Sequence, residues 1–340
     1  MTQPLKLTMA CGLYDRMLDL YTGDVRPDGI ELNYVRMDGS AGAREIFDRM
    51  ANLEFDLAEM SSSEYFARRS AGENKLAALA VFPSRVFRHG MCTINKKSGI
   101  KSPKDLEGKK VGLPMYTMSA AVWMKGQLQH DYGVDISKIQ WVEGAINHPG
   151  QHGHPSLLPM LKPANIVKNN SDKSISDLLE SGEIDAIIGT VLPDAYHTNP
   201  DIVRLFPNYR EEEKNYYKKT KIFPIMHLLA LRRDVYEAHP FIASSLFDAM
   251  CESKERARLR ARDLGTLNYM LPWMTADIDE LDEVFDGDPW PYGIEPNRPT
   301  LEAAMKYLTD QGIIKAPMPI EDMFLQTYGR YDRKTGKKTG

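Results

Sequence analysis

Two arginines and a histidine fall within five positions in the run Phe82-Pro83-Ser84-Arg85-Val86-Phe87-Arg88-His89-Gly90. Arginine presents a flat fork of donors that grips a carboxylate through two parallel hydrogen bonds. Arg85 and Arg88 could face one cavity from a loop or an irregular strand and hold an organic acid there. A histidine beside such a clamp can move a proton near neutral pH. The same run also reads as a surface loop with two solvated arginines, and the rest of the chain must decide. A second constellation is His148, His152 and His154, spaced by four and two on a Pro/Gly-rich loop, where imidazoles could ligate a metal. No cysteine or acidic residue accompanies them in that loop. A polar loop is the commoner explanation, so no metal site is assigned. The GxGxxG, P-loop, GxSxG and HExxH patterns do not occur, so nucleotide cofactors and serine hydrolysis have no support, and no cofactor is expected.

A chain of 340 residues is long enough for two lobes, each with a core of its own. A net charge of −4 shows no basic excess, so neither nucleic acid nor an anionic membrane is an expected partner. Cys11, Cys92 and Cys251 are widely spaced and odd in number, which gives no disulfide framework and suits a reducing compartment. The first residues run straight into an apolar strand without the pattern of an export signal. No window approaches the roughly 18 apolar residues of a membrane span. A cytoplasmic protein is expected.

These side chains must be positioned by a scaffold, and the pattern alternates short apolar runs with helical periodicities, as in an α/β layer fold. Strands are expected at 5–10, 30–35, 55–60, 93–95, 110–113, 139–142, 184–189 and 222–231. Between them, 43–52 reads as a helix with Ile46, Phe47 and Met50 on one face. The three serines 61–63 supply a cap for a helix through residue 69. Pro103 behind Ser102 opens a short helix. Residues 116–119 open another helix, carrying Val122, Trp123 and Leu128. Residues 174–181 form a helix closed by Gly182, and 236–270 are largely helical. Residues 144–163 and 193–221 read as long loops, unusual unless they carry function.

The order of these elements resembles a type II periplasmic-binding-protein fold, with two α/β lobes, mixed sheets, two crossing hinge strands and the ligand in the cleft between lobes. The run Gly99-Ile100-Lys101-Ser102-Pro103-Lys104-Asp105-Leu106-Glu107-Gly108-Lys109-Lys110-Val111-Gly112 looks like the segment that follows the first crossing. On that reading residues 1–92 plus 225–340 form the first lobe and 93–224 the second. The chain more closely resembles the 4,5-dihydroxyphthalate decarboxylases. The matching pieces are Ala58-Glu59-Met60-Ser61, the Phe82 to Gly90 run, Phe223-Pro224-Ile225-Met226-His227, and Trp290-Pro291-Tyr292-Gly293-Ile294-Glu295-Pro296-Asn297-Arg298-Pro299-Thr300-Leu301-Glu302. The similarity runs from about residue 5 to about residue 328. The histidine-rich loop departs from the family's pattern.

The resemblance implies a cofactor-independent decarboxylase of a hydroxylated aromatic dicarboxylate, and it leaves room for a homo-oligomer. A solute-binding protein for a small carboxylate would share the fold, and a decarboxylase for a related aromatic acid would share the site. Ligand contacts in this fold come from helix N-termini and crossing strands, which here brings forward Arg16, Ser62, Ser63, Thr117, Ser119 and Thr190. Arg85 and Arg88 are expected to bind the two carboxylates. His89 and His227, one on each crossing, are expected near one another at the cleft floor as acid–base groups. Glu59 is either an alternative acid or a partner for one of the two arginines. Phe82, Phe87 and Trp123 are available as apolar walls.

Overall fold

The structure is a computed structural model that describes residues 3–37, 39–153, 160–328, 331–332 and 337–338. Two mixed sheets dominate it. The first contains β1 (Leu5–Gly12), β2 (Ile30–Met37), β3 (Leu57–Ser61), β4 (Leu76–Arg85) and β11 (Ile225–Arg232) in the order β2-β1-β3-β11-β4. The second contains β5 (Cys92–Asn95), β6 (Lys110–Leu113), β7 (Gln140–Glu143), β8 (Ile166–Lys168), β9 (Ala186–Ile188) and β10 (Ile202–Arg204) in the order β10-β5-β9-β6-β7-β8. In the first sheet β1 pairs in parallel with β2 and β3, and β11 lies antiparallel between β3 and β4. β11 thus returns to the first sheet after the chain has built the second.

The two passages between sheets run side by side. The Val86 N–H donates to the Pro224 carbonyl at 3.2 Å, and Phe87 stacks on Phe223 with ring centroids 4.5 Å apart. Arg85 seals the crossing. Its guanidinium lies over the Phe223 ring and donates to the Phe223 carbonyl at 2.8 Å and to Asn297 Oδ1 at 2.7 Å. Beside the crossing β4 bulges, because its register against β11 slips twice around His227. A bulge takes carbonyls out of the ladder, and buried carbonyls need donors. Gly293 N–H serves Ala80 at 2.8 Å, Trp290 Nε1 serves Phe82 at 2.7 Å, and Arg16 Nε serves Pro83 at 2.8 Å. The bulge also explains how Pro83, which has no N–H, sits inside a strand. The long motif from Trp290 to Asn297 is therefore a buttress for the irregular strand next to His227.

Helix Ser119–His130 is buried through almost its whole length and packs on both cores. Ala120, Val122 and Trp123 join the core of the first sheet, while Ala121, Met124 and Leu128 join that of the second. Trp123 also donates from Nε1 to the Ile225 carbonyl at 2.9 Å, which ties this helix to β11. A fully buried large side chain of this kind contributes about 1.5–3 kcal/mol through burial alone.

Two expectations about loops need correction. Residues 193–221 contain a helical turn (Ala195–Thr198), β10 and the helix Tyr209–Thr220. That helix buries only Tyr216, so it lacks an apolar stripe. It is held by ion pairs to helix Met274–Phe285: Arg210 with Asp277 at 2.6 Å, Lys214 with Glu280 at 3.2 Å, and Lys218 with Glu283 at 2.8 Å. The helical run expected to reach residue 270 breaks near Pro240 and ends at Arg262. The other long loop is described at 144–153 and 160–163, and His154 lies outside the described residues. No helix among the described residues is long and apolar enough to cross a membrane.

Candidate active site

Between the sheets lies a cleft of about 820 Å³, solvent mouth included. The carboxyl end of β3 opens onto it at Ser61, at the usual ligand edge of parallel strands. Side chains alternate along β3, so Leu57, Glu59 and Ser61 share one face and Ala58 and Met60 the other. His227 on β11 stands opposite Ser61 and diagonally across from Glu59. That register brings a carboxylate and an imidazole together at the cleft.

Glu59 is fully buried and accepts four hydrogen bonds. Its Oε1 receives His227 Nδ1 at 2.5 Å and the Tyr14 hydroxyl at 2.6 Å; its Oε2 receives the Gly12 N–H at 2.9 Å and the Cys11 thiol at 3.4 Å. Burial alone would raise the pKa of this carboxyl. The bond and charge of His227, then Tyr14 and Gly12, overcome that and hold it at about 2. Gly12 has to be glycine for a steric reason, since a Cβ there would lie 2.9 Å from the Tyr14 ring and 3.3 Å from Glu59 Oε2. With Nδ1 committed to Glu59, His227 presents Nε2 to the cleft it lines, and Phe47 packs edge-on against its ring at 4.8 Å.

Arg88 enters the cleft from the crossing and donates to the Thr190 carbonyl at 2.8 Å. Among the described residues no carboxylate lies within 4 Å of it, and its Nε has no partner. Burial lowers its pKa to about 10, which leaves it cationic at neutral pH. The nearest opposite charge acting on it is Glu213, which faces His89 and makes no ion pair with Arg88, so the guanidinium has donors left for an anion.

Two helix N-termini converge on the same space. Ser61, Ser62 and Ser63 begin helix Ser62–Ser70, and Ser119 begins helix Ser119–His130. Ser119 Oγ lies 3.0 Å from Ser61, 3.1 Å from Ser62 and 3.2 Å from Ser63, and it accepts the Ser63 N–H at 3.1 Å. Proton counting sorts these hydroxyls. Ser62 donates to the Ile225 carbonyl at 2.9 Å and Ser63 to the Thr117 carbonyl at 2.8 Å, so only Ser61 and Ser119 keep protons they can turn. The Thr117 hydroxyl is buried, has no hydrogen-bond partner among the described residues, and belongs to a residue that lines the cleft. Such an edge has donors free for ligand oxygens.

Several expected roles change. Ser62 faces the backbone of β11 and does not line the cleft. Arg85 is the seal of the crossing, with burial lowering its pKa to about 9, and it does not line the cleft. Arg16 lies outside the cleft, sandwiched between Tyr14 and Trp290. His89 is not on the cleft floor. It is fully buried against Phe206, Tyr132 and Tyr216, with Glu213 3.7 Å from Nδ1. Glu59 meets neither Arg85 nor Arg88; His227 is its partner, and a carboxyl held at about 2 is no proton donor near neutral pH. Phe82 and Trp123 belong to the core and Phe87 to the crossing. The apolar walls are instead Phe47, Met115, Met118 and Met226. Thr190 does line the cleft, as do Ser63, Thr117 and Ser119.

Sequence reading missed Arg44. It lines the cleft while paired with Glu64 at 3.2 Å and with Asp48, and the i,i+4 spacing to Asp48 is that of an ordinary helix-surface pair. His152 is also in the cleft. Its pKa is lowered by burial and then by Arg44 and His148, and unlike His227 it has no carboxylate anchor among the described residues. His148 is exposed, its Nδ1 near the Pro149 carbonyl. Among the described residues no group of three or more His, Cys, Asp or Glu side chains gathers to hold a metal.

Residues 27–149 match the family described as NMT1/THI5 like. A 4,5-dihydroxyphthalate decarboxylase of Comamonas testosteroni is 36% identical over 296 residues, which cover 86% of this chain and 88% of that protein. A second, from Pseudomonas putida, is 32% identical over 218 residues, 63% of this chain and 82% of its own length. Among solved structures, a putative periplasmic sulfonate-binding protein SsuA from Methylobacillus flagellatus KT superposes with a TM-score of 0.53 at 15% identity, covering 95% of this chain and 92% of that one. The periplasmic aliphatic sulphonate binding protein SsuA from Escherichia coli gives 0.52 at 13% identity, covering 97% and 95%. At such identities the likeness shows the fold alone, and the fold is periplasmic-binding-protein-like. By its sequence the chain belongs to the 4,5-dihydroxyphthalate decarboxylase family.

Proposed function

We propose that this chain is a carboxy-lyase that removes one carboxylate from a hydroxylated aromatic dicarboxylate, converting 4,5-dihydroxyphthalate to protocatechuate and carbon dioxide. One observation carries the reading: an imidazole anchored by a buried carboxylate lines a cleft that also holds an arginine with no direct ion pair among the described residues. The names of the curated relatives support the substrate.

The chemistry needs no added cofactor, because the substrate supplies its own electron push. Loss of the proton from the hydroxyl para to the departing carboxylate sends an electron pair into the ring. The carbon bearing that carboxylate takes a proton. The carbon–carbon bond then breaks, its electron pair returns to the ring, carbon dioxide leaves, and the phenolate oxygen is reprotonated. One proton is consumed overall. Arg88 would hold the carboxylate that stays. His227 Nε2 would exchange the proton at the ring carbon, with Glu59 stabilising the imidazolium. Ser61, Ser119 and Thr117 would donate to oxyanions at the paired helix N-termini. Phe47, Met115, Met118 and Met226 would surround the leaving group with low-polarity surface, which favours loss of a neutral gas from a charged group.

The second reading is a receptor that binds an aromatic acid and does nothing to it, and the periplasmic-binding-protein-like fold is compatible with it. Incubating the purified protein with 4,5-dihydroxyphthalate and following protocatechuate by chromatography separates the two. Tight binding with no product, with or without added divalent metal, would sink the decarboxylase.

A further inference from the structure

Glu59 carries a buried negative charge, yet among the described residues no lysine or arginine lies within 4 Å of it; its partners are His227 and the neutral donors Tyr14, Gly12 and Cys11. Two of them converge on one oxygen. The Tyr14 hydroxyl reaches Oε1 at 2.6 Å and His227 Nδ1 reaches the same atom at 2.5 Å. Oε2 is held independently by Gly12 and Cys11. The carboxylate plane is thereby fixed from both ends, and the lone pairs that Oε1 offers to His227 are those that Tyr14 leaves.

Tyr14 is not part of the cleft lining, so it reaches a ligand only through Glu59. Its own aim is set from behind. The Arg16 guanidinium lies 4.4 Å from the Tyr14 ring centroid and 4.1 Å from that of Trp290, a flat cation between two aromatic faces. Arg16 is pinned by Pro83 and Asp15, and Trp290 by Phe82. Burial and the nearby Glu59 charge push the Tyr14 phenol far above its ordinary value, so it stays a donor at any working pH.

We propose that Tyr14 is a positioning residue for His227: by sharing Glu59 Oε1 it fixes the carboxylate that holds the imidazole with Nδ1 protonated and Nε2 facing the cleft, while Arg16 and Trp290 hold the Tyr14 ring in place. This rests on His227 being the acid–base group of a decarboxylase, and it assigns a task to three residues outside the cleft. Without the hydroxyl, the carboxylate can rotate about its last bond, and the imidazole it carries can swing or change tautomer.

The test is Tyr14→Phe, which removes one oxygen and keeps the ring. Turnover of 4,5-dihydroxyphthalate should fall roughly 10-fold in kcat, a part of the roughly 100-fold or more that general acid–base help supplies, with KM within about 3-fold. Nitrogen NMR of the His227 ring should show a fixed Nδ1–H tautomer in the wild type and a mixture in the variant. Arg16→Lys keeps the charge but loses the flat fork and should give the same signature at smaller amplitude. It carries the test if Tyr14→Phe does not fold. An unchanged tautomer in the folded variants overturns the proposal, whatever kcat does. The NMR experiment needs no turnover, so a wild-type protein that makes no protocatechuate would refute the decarboxylase while the positioning by Tyr14 is still read.

Discussion

Replacing Glu59 by Gln removes one charge and one acceptor from a group that four donors surround. A carboxylate can accept from Tyr14, His227, Gly12 and Cys11 together; an amide has one accepting oxygen and an NH2 that donates. If the amide oxygen faces Tyr14 and His227, its NH2 meets the Gly12 N–H, which sits 2.9 Å from the carboxylate in the wild type. If it flips, the NH2 faces His227, and the imidazole must accept at Nδ1 and carry its proton on Nε2. With Nδ1 accepting, the ring cannot form the imidazolium that delivers a proton to the ring carbon. The first arrangement leaves a buried N–H unpaired, at about 1–3 kcal/mol. The second removes general acid–base function, worth roughly 100-fold or more in kcat. The pH dependence follows from the carboxyl held at about 2 against an ordinary 4.5. That difference, at about 1.4 kcal/mol per unit, corresponds to ~3 kcal/mol of stability. A lowered carboxyl pKa stabilises the fold above pH 4.5 and loses that contribution as pH falls towards 2. Urea unfolding of both proteins should therefore show a gap near neutral pH that closes on acidification. Steady-state assays near neutral pH should show kcat down roughly 100-fold with KM little changed. A folded Glu59→Gln protein with wild-type kcat and no pH-dependent stability gap would refute the account of this pair.

Arg88→Ala should raise KM about 10- to 1,000-fold, the loss of a desolvated charge pair with substrate, and isothermal titration with a non-reactive dicarboxylate checks it. Arg85→Ala should act on the fold instead. Losing the donors to Phe223 and Asn297 should cost about 2–4 kcal/mol in chemical denaturation while KM stays within a few-fold, and a large KM effect would return Arg85 to the substrate. His227→Asn, whose amide can still donate to Glu59, should lower kcat about 100-fold and leave binding intact; His152→Asn at the same loss would move the proton donor to the long loop. Small-angle scattering with a non-reactive dicarboxylate should show compaction if the two crossings hinge around ligand, and an unchanged radius would mark a rigid cleft.

The sheets were largely legible because their strands are short, apolar and bounded by turns. Residues 30–35, 93–95 and 110–113 were each read within a few positions of β2, β5 and β6. Helix Tyr209–Thr220 was not, because ion pairs to another helix hold it and leave no apolar period to see. The site was half legible. His227 and Arg88 were picked as chemistry-bearing residues near the crossings, and the structure puts both on the cleft. Arg85 and His89 stand three positions or fewer from Arg88 yet point elsewhere, since neighbouring side chains on an irregular extended segment diverge and sequence proximity says nothing about facing. The partnership of Glu59 with His227 spans 168 positions and depends on the register of β3 against β11, which no local pattern encodes.

The buried carboxylate also shapes how this site can change over generations. Removing His227 strands a negative charge in the interior, and removing Glu59 strands the donors around it; breaking a buried pair from one side costs about 3–5 kcal/mol. A typical domain has only about 5–15 kcal/mol in hand. Single substitutions at either position therefore lead lineages into a stability valley, whether or not the chemistry is still under selection. The pair is inherited as a unit. A descendant that gave up catalysis for binding alone would be expected to keep both residues long after the reaction had stopped mattering, or to lose them together with Tyr14.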